Sequence, residues 1–335
     1  MKWLLFLSLY PLQAIELDTP QVIIGKAHIE ENISAIGAVA FDSQEITTFL
    51  VSGKTRSDQD IEVKKESVWH IGSDAKAMTA TLMAVLVEKK LITWETAMGE
   101  VFPNLADEFH PEARKITITQ LLSHTAGLPA NPISKNRILS RLAVTKIALK
   151  KEPTKGFLYS NFGYIIAGAV INQRLGTTWE KAIIENLFTP LGIKSVGFGP
   201  PQGPEAIHGH HNGQPMAHDN PPMYGPAGGL HLTLSDWVLF CQDQIKGHHG
   251  EGKLLTQASY RKLHTPISNN YALGWGTRSK DGKVTRLSHD GSNTMWYARA
   301  VLDLRKKRGT LITLNTATPE AVKWIPKIAA SFSHR

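Results

Sequence analysis

A single cysteine, Cys241, stands among 335 residues, so the chain has no internal disulfide. Its stability must come from an apolar core, which a chain of this length can build, with room for two subdomains sharing an interface. Cys241 lies beside Trp237-Val238-Leu239-Phe240 and is expected to be a buried structural thiol. Long hydrophobic runs are also lacking. Beyond the first residues nothing approaches membrane-spanning length, so no stable transmembrane segment is expected after removal of the N-terminus. Clustered charge is scarce: the net charge of +8 is scattered, apart from Arg305-Lys306-Lys307-Arg308 before Gly309, which reads as a charged hairpin turn. Aromatic and basic residues do not interleave, which argues against a nucleic-acid partner. No H-E-x-x-H motif accompanies the histidine-rich stretch His208, His210, His211, His218 and His231, although closely spaced histidines have the chemistry of zinc ligands. A loop bordering a cleft is the plainer account, and neither a metal nor another cofactor is expected. Repeats and low-complexity segments are missing, and a charged fraction of 20% excludes disorder.

At the N-terminus, Lys2 precedes the apolar residues 3–9, too few to anchor stably in a bilayer, and Ala14 is a small residue suited to cleavage. Residues 1–14 are therefore expected to be a secretory signal, leaving 15–335 as an exported, periplasmic domain; an uncleaved anchor is the alternative. Residues 35–41 and 45–51 read as strands around the turn Asp42-Ser43-Gln44. Strands return at 271–278, 284–288, 294–302 and 309–315, and Thr318-Pro319-Glu320 opens a last helix that should bend near Pro326. Between them lie helical segments, one with Asn161 as a plausible cap and one capped by Ser235-Asp236-Trp237. The expected architecture is α/β: an antiparallel sheet from about 15–72 and 265–335, flanked by helices, with an all-helical insertion over about 73–264. Where the two meet, a ligand cleft is expected.

The chemistry starts at Trp69-His70-Ile71-Gly72-Ser73-Asp74-Ala75-Lys76. On a helix, Ser73 and Lys76 lie one turn apart on one face. Burial and the positive end of the helix dipole would push the lysine toward its neutral form, giving a nucleophile and its base. The run from Thr79 to Val87 is almost all apolar (Ala80, Leu82, Met83, Ala84, Val85, Leu86), as a buried central helix requires, and Lys89 and Lys90 suit its C-terminus. The S-x-x-K pattern alone is weak, because roughly one or two copies arise by chance in such a chain. A helix cap and a solvated lysine would explain it equally well. Indeed a second copy, Ser259-Tyr260-Arg261-Lys262, runs into Pro266, which leaves no room for a long buried helix.

Two further stretches complete a set. Tyr159-Ser160-Asn161 is the only Y-x-N, and in an extended segment its phenol and amide would face one cleft. His289-Asp290-Gly291-Ser292-Asn293 ends a strand, where Gly291 would let a substrate approach the backbone.

In this order, and together with Leu121-Leu122-Ser123-His124-Thr125-Ala126-Gly127-Leu128-Pro129 and Pro226-Ala227-Gly228-Gly229-Leu230, the motifs resemble those of the penicillin-recognising serine hydrolases: class C β-lactamases, low-molecular-weight D,D-peptidases and related esterases. The resemblance runs from Ala35 to the C-terminal helix. It implies a β-lactamase-like fold and an acyl-enzyme on Ser73, with Lys76 as general base and Tyr159 relaying a proton to the leaving group. Which of Lys76 and Tyr159 takes the first proton stays open. The resemblance further implies that Asn161 holds the acyl amide, that His289 and Gly291 line the site, and that the N–H groups of Ser73 and Ser292 form the oxyanion hole.

One departure matters. His289-Asp290-Gly291 replaces the Lys-Thr-Gly of the β-lactamases, removing a fixed positive charge and adding a carboxylate. A histidine there would help a carboxylate-bearing substrate only when protonated. The substrate, a small molecule or peptide, is thus open among β-lactams, D-amino-acid peptides and simple esters. A non-hydrolytic or slowly acylating module that binds cell-wall fragments is the alternative from another class.

Overall fold

The computed structural model describes residues 19–131, 139–203, 206–216 and 219–332. The expected N-terminal signal and His218 lie outside the described residues. A six-stranded antiparallel sheet forms the base, in the order Ile46–Gly53, Ala35–Asp42, Arg308–Leu314, Tyr297–Asp303, Lys283–Ser292 and Gly276–Lys280. Chain ends therefore meet in the middle of the sheet, Val39 opposite Leu311. Both faces of the central strands are covered, and side chains alternate between them. Ile36, Ala38, Ile312 and Leu314 pack beneath the terminal helices Pro20–Glu31 and Trp324–Ser331, against Ile24, Trp324 and Ile328. Ala35, Val39, Phe41 and Leu311 face the other way, into the main core.

That core is built around Ala75–Glu88. Every residue from Ala75 to Leu86 is buried, as an all-round apolar helix demands. Lys89 and Lys90 do close it, Lys90 in the left-handed region at φ 58°. Cys241 is buried in Leu234–His248, as expected. The second S-x-x-K lies on Gln257–His264, a helix of eight residues that stops before Pro266.

Several local expectations change. Tyr271–Trp275 is not strand; Gly276–Lys280 starts later, and Lys283–Ser292 continues through the His289 motif to Ser292. The insertion also carries short strands that periodicity cannot show: Leu230–Thr233 pairs with Val68–His70 and with Gly197–Phe198, while Gly209–His211 and Gln214–Met216 form a hairpin. Strands of two to four residues hold too few positions to display a period of two. Leu234–His248 is capped by Thr233, not by Ser235 and Asp236: the Thr233 hydroxyl accepts from the Asp236 N–H at 3.2 Å. The Asp236 carboxylate instead accepts from the backbone N–H groups of Lys194 and Ser195. At the C-terminus, the break falls at Lys323, between Pro319–Val322 and Trp324–Ser331. Pro326 has no N–H to offer the Val322 carbonyl, so the first helix cannot run on.

Candidate active site

Ser73 sits in a single 3-10 turn, Gly72–Asp74, that leads directly into Ala75–Glu88. The expected helical adjacency survives this tightening: Lys76 Nζ lies 3.0 Å from Ser73 Oγ. Two other oxygens take up the ammonium group, Asn161 Oδ1 at 2.7 Å and the Ala227 carbonyl at 2.6 Å. Both can only accept. A neutral amine has two N–H bonds and one lone pair, so the two hydrogens are committed to these oxygens and the lone pair faces the Ser73 hydroxyl. The lysine side chain is fully buried, and that burial lowers its pKa to about 7. Lys76 can therefore be neutral at physiological pH with its lone pair already aimed.

Asn161 is the first residue of the helix Asn161–Leu175, not part of an extended segment. Its amide is oriented by Nδ2 donating to Asn131 Oδ1 at 2.6 Å, which leaves Oδ1 for Lys76. Tyr159 still reaches the same cluster, with Lys76 Nζ 4.9 Å from its ring centroid. Burial pushes the Tyr159 phenol well above the ordinary tyrosine range, and the neighbouring Ser73 hydroxyl only partly opposes this. The phenol is thus a proton donor at neutral pH. His124, from the Leu121–Pro129 stretch, packs against Tyr159 with ring centroids 4.2 Å apart and accepts from the Ser160 N–H through Nδ1. Its backbone is left-handed, at φ 62°, and burial lowers its pKa to about 2.

The strand Lys283–Ser292 closes the other side. Gly291 serves a different contact from the one expected: a Cβ there would stand 1.9 Å from the Ile71 carbonyl oxygen and 2.8 Å from Asp74 Oδ2. The turn that carries Ser73 lies directly against this glycine. Gly72, at φ 51°, meets the strand in return, since its Cβ would lie 2.6 Å from Ser292 N. The two expected oxyanion donors, Ser73 N–H and Ser292 N–H, are brought together by this glycine-on-glycine contact.

His289 is buried, 5% exposed, and enclosed by its own neighbours. Nδ1 lies 3.0 Å from the Asp290 carbonyl and must donate to it; Nε2 then accepts from the Tyr271 hydroxyl at 2.9 Å. Burial and the Lys76 charge lower its pKa to about 3. The protonated form in which His289 would help a carboxylate-bearing substrate therefore lies well below neutral pH. Asp74 was missed by motif reasoning. It is fully buried between Ser73 and Lys76, and burial and Asp290 raise its pKa well above the carboxylate range. Tyr271 and the Ala227 carbonyl were missed as well; the first lies in an irregular segment and the second is a backbone atom without a sequence signal. Of the histidine-rich stretch, His210 Nε2 accepts from the Ser57 N–H at 3.1 Å and His231 Nδ1 lies 2.9 Å from the Gly199 carbonyl. Both rings hold backbone together away from Ser73.

A sheet with an inserted helical layer, and a serine and a lysine on the first turn of the buried helix at their junction, define the class of β-lactamase-like folds. The Beta-lactamase family model matches residues 24–330, and the chain belongs to that family. Among curated relatives it is 27% identical to Penicillin-binding protein 4 of Amycolatopsis lactamdurans, over 73% of this chain and 71% of that one. It is 22% identical to protein flp of Staphylococcus aureus, over 84% and 59% of the two chains. The chain thus spans only part of the length of these relatives. Among solved structures it is similar to a class C beta-lactamase from Rhodobacter sphaeroides, with a TM-score of 0.78 at 16% identity over 94% and 98% of the chains. A Beta-Lactamase/D-Alanine Carboxypeptidase from Pseudomonas syringae gives a TM-score of 0.79 at 16% identity, again over 94% and 98%. These likenesses concern the fold. Among the described residues no helix is long and apolar enough to cross a membrane.

Proposed function

We propose that the chain is a serine acyl hydrolase that works through an acyl-enzyme on Ser73, with an ester or amide substrate. The observation that carries this is the bonding around Lys76: two obligate acceptors and one hydroxyl surround a buried amine whose pKa is about 7. Lys76 accepts the Ser73 proton as Oγ attacks the acyl carbon. Charge developing on the carbonyl oxygen meets the N–H groups of Ser73 and Ser292. Tyr159, held protonated by burial, passes its proton to the leaving group and regains one from the Lys76 ammonium; Lys76, neutral again, takes a proton from the water that attacks the ester and returns it to Ser73 Oγ as the acyl bond breaks. Because the phenol is raised and the lysine lowered, Lys76 is the first proton acceptor in this scheme. Asn161 fixes the lysine and is displaced toward an incoming acyl amide only by giving up that bond.

A neutral His289 offers no cation for a substrate carboxylate, and the neighbouring Asp290 carboxylate is taken up by Arg299 at 3.4 Å and the Tyr297 hydroxyl; this favours neutral esters and D-amino-acid amides over penicillins and cephalosporins. Similarity to a Beta-Lactamase/D-Alanine Carboxypeptidase supports the peptide class. Export of a mature chain beginning near residue 15 belongs to the same proposal.

A serine-reactive phosphonate should add one adduct, mapped to the peptide that contains Ser73; Ser73→Ala should abolish it, and Ser259→Ala should not. Turnover of a short-chain nitrophenyl ester, a D-Ala-D-Ala peptide and a chromogenic cephalosporin then separates the substrate classes. Stoichiometric labelling without turnover of any of the three would favour the slowly acylating binding module instead. Labelling that survives Ser73→Ala would refute the scheme.

A further inference from the structure

Outside the residues that touch Lys76, a second buried polar cluster joins the two segments that carry the oxyanion donors. His70 ends the strand Val68–His70, two residues before Gly72, and is 1% exposed. Its ring stacks on Trp296, with centroids 5.0 Å apart. Nδ1 accepts from the Gly72 N–H at 3.1 Å, which assigns the ring hydrogen to Nε2. Nε2 donates to Asp219 Oδ2 at 2.8 Å. The other oxygen, Oδ1, accepts from Asn293 Nδ2 and from the Asn220 N–H, each at 2.6 Å. Asn293 Oδ1 in turn accepts from the N–H groups of Met295 at 3.4 Å and Trp296 at 3.2 Å. The orientations are fixed by the groups with only one role: the Gly72 N–H can only donate, so Nδ1 accepts, and the Asp219 carboxylate can only accept, so Nε2 and Asn293 Nδ2 donate.

The Asp219 side chain is 2% exposed, and burial alone would favour its protonated form. The donors from His70, Asn293 and Asn220 outweigh that and keep it ionised. One carboxylate therefore reaches Gly72 N through His70, and the turn after Ser292 through Asn293. Between these arms, Gly72 presses on Ser292 N. Thr294, a β-branched residue, is held in the left-handed region at φ 77° within the same turn. Such a conformation persists only where its surroundings over-determine it.

We propose that His70, Asp219 and Asn293 are positioning residues that set the separation of the Ser73 and Ser292 N–H groups, and thereby the shape of the oxyanion hole. This rests on the acyl-enzyme reading above for its catalytic consequence, though not for the geometric link itself. None of the three touches the acyl group. Their effect is on the transition state, whose oxyanion the two donors meet, and not on ground-state binding.

Asp219→Asn tests it. Three donors converge on the carboxylate, and a carboxamide offers one oxygen and an NH2 group of its own. If that NH2 faces His70, the ring must take the other tautomer, and Nδ1–H then opposes the Gly72 N–H. If it faces Asn293, that amide must turn and release Met295 and Trp296. One of the two donor segments is freed in either case. With a nitrophenyl ester, kcat should fall about ten- to a hundredfold while KM stays within about threefold, since small misplacements of preorganised donors have effects of this size. Affinity for an aryl boronic acid should fall by the same factor. Asn293→Ala, at a partly exposed position that tolerates truncation, should act in the same direction if Asp219→Asn does not fold.

Amide hydrogen exchange reads the link without any turnover. Exchange at Gly72 or at Trp296 should speed up in Asp219→Asn, and at Trp296 in Asn293→Ala. Unchanged exchange at these amides in a folded variant would overturn the proposal, whether or not the wild type hydrolyses an ester. A raised KM with unchanged kcat would overturn it too, by placing Asp219 in substrate binding. A wild type that takes no phosphonate on Ser73 would instead remove the acyl-enzyme reading and leave the exchange result to decide the coupling.

Discussion

Replacing Asn161 by Asp places a carboxylate where an amide oxygen now stands, 2.7 Å from Lys76 Nζ. At that distance two unit charges in a protein of effective dielectric about 20 attract by roughly 6 kcal/mol, or about four pKa units. Asn161 is only partly buried, and solvent at its outer edge screens part of this, so about half is the safer figure. Burial holds Lys76 at about 7 in the native site. Asn161→Asp should therefore carry it to about 9. The base works only when neutral, so its activity is present above its pKa and lost as pH falls through it. At pH 7 the neutral fraction drops from about one half to about one hundredth, and acylation should slow about fiftyfold. Above about pH 9 most of that loss should return. The lost bond from Asn161 Nδ2 to Asn131 lowers the plateau without moving the limb. The assay is the pre-steady-state burst of a nitrophenyl ester, followed across pH. An acid limb that stays near 7, or moves lower, would refute Lys76 as the first proton acceptor.

Other perturbations probe separate parts of the site. Asp74 is buried, and that burial raises its carboxyl well above the carboxylate range, which favours its uncharged form. Asp74→Asn should then leave the acid limb of acylation within about 0.3 pH units, whereas a fall of a full unit would show that an ionised Asp74 supports Lys76. His289, at about 3, does not titrate in the working range. The ratio of kcat/KM on a cephalosporin to that on a neutral ester should accordingly be flat from about pH 5.5 to about pH 8, and a rise toward acid would restore a cationic role. Gly291→Ala drives a methyl group to 1.9 Å from the Ile71 carbonyl, which cannot yield without moving the Ser73 turn. It should cost about 3 kcal/mol in urea unfolding and abolish phosphonate labelling, and a stable, reactive variant would show that the contact is slack.

Much of the sheet was legible because its central strands run for seven or eight residues between clear turn residues such as Asp42-Ser43-Gln44 and Lys307-Arg308-Gly309. Ser73 and Lys76 were legible for the same kind of reason. Their contact is set by a spacing of three residues on one turn, and the apolar run behind them marks a helix that must be buried. Y-x-N and H-x-G could be named as motifs, but their geometry could not be read from them. Asn161 meets Lys76 across 85 residues of sequence, and the Ala227 carbonyl meets it across 151. No local pattern encodes which backbone oxygen will accept from a buried amine.

Local sequence therefore determined the long central strands, the central helix and the serine-lysine pair, all of which depend on neighbours a few residues away. Tertiary structure decided their chemical states. His289 is a titratable residue whose charge depends on burial, on Tyr271 and on Lys76, none of which its own neighbours specify. Gly291 is a flexible residue by composition and a close-contact residue by packing. His70 and Asp219, 149 positions apart, become a pair only when the chain returns to bury both beneath Trp296. A residue's type limits what it can donate, accept or ionise; the low dielectric and the partners supplied by folding select which of those it does.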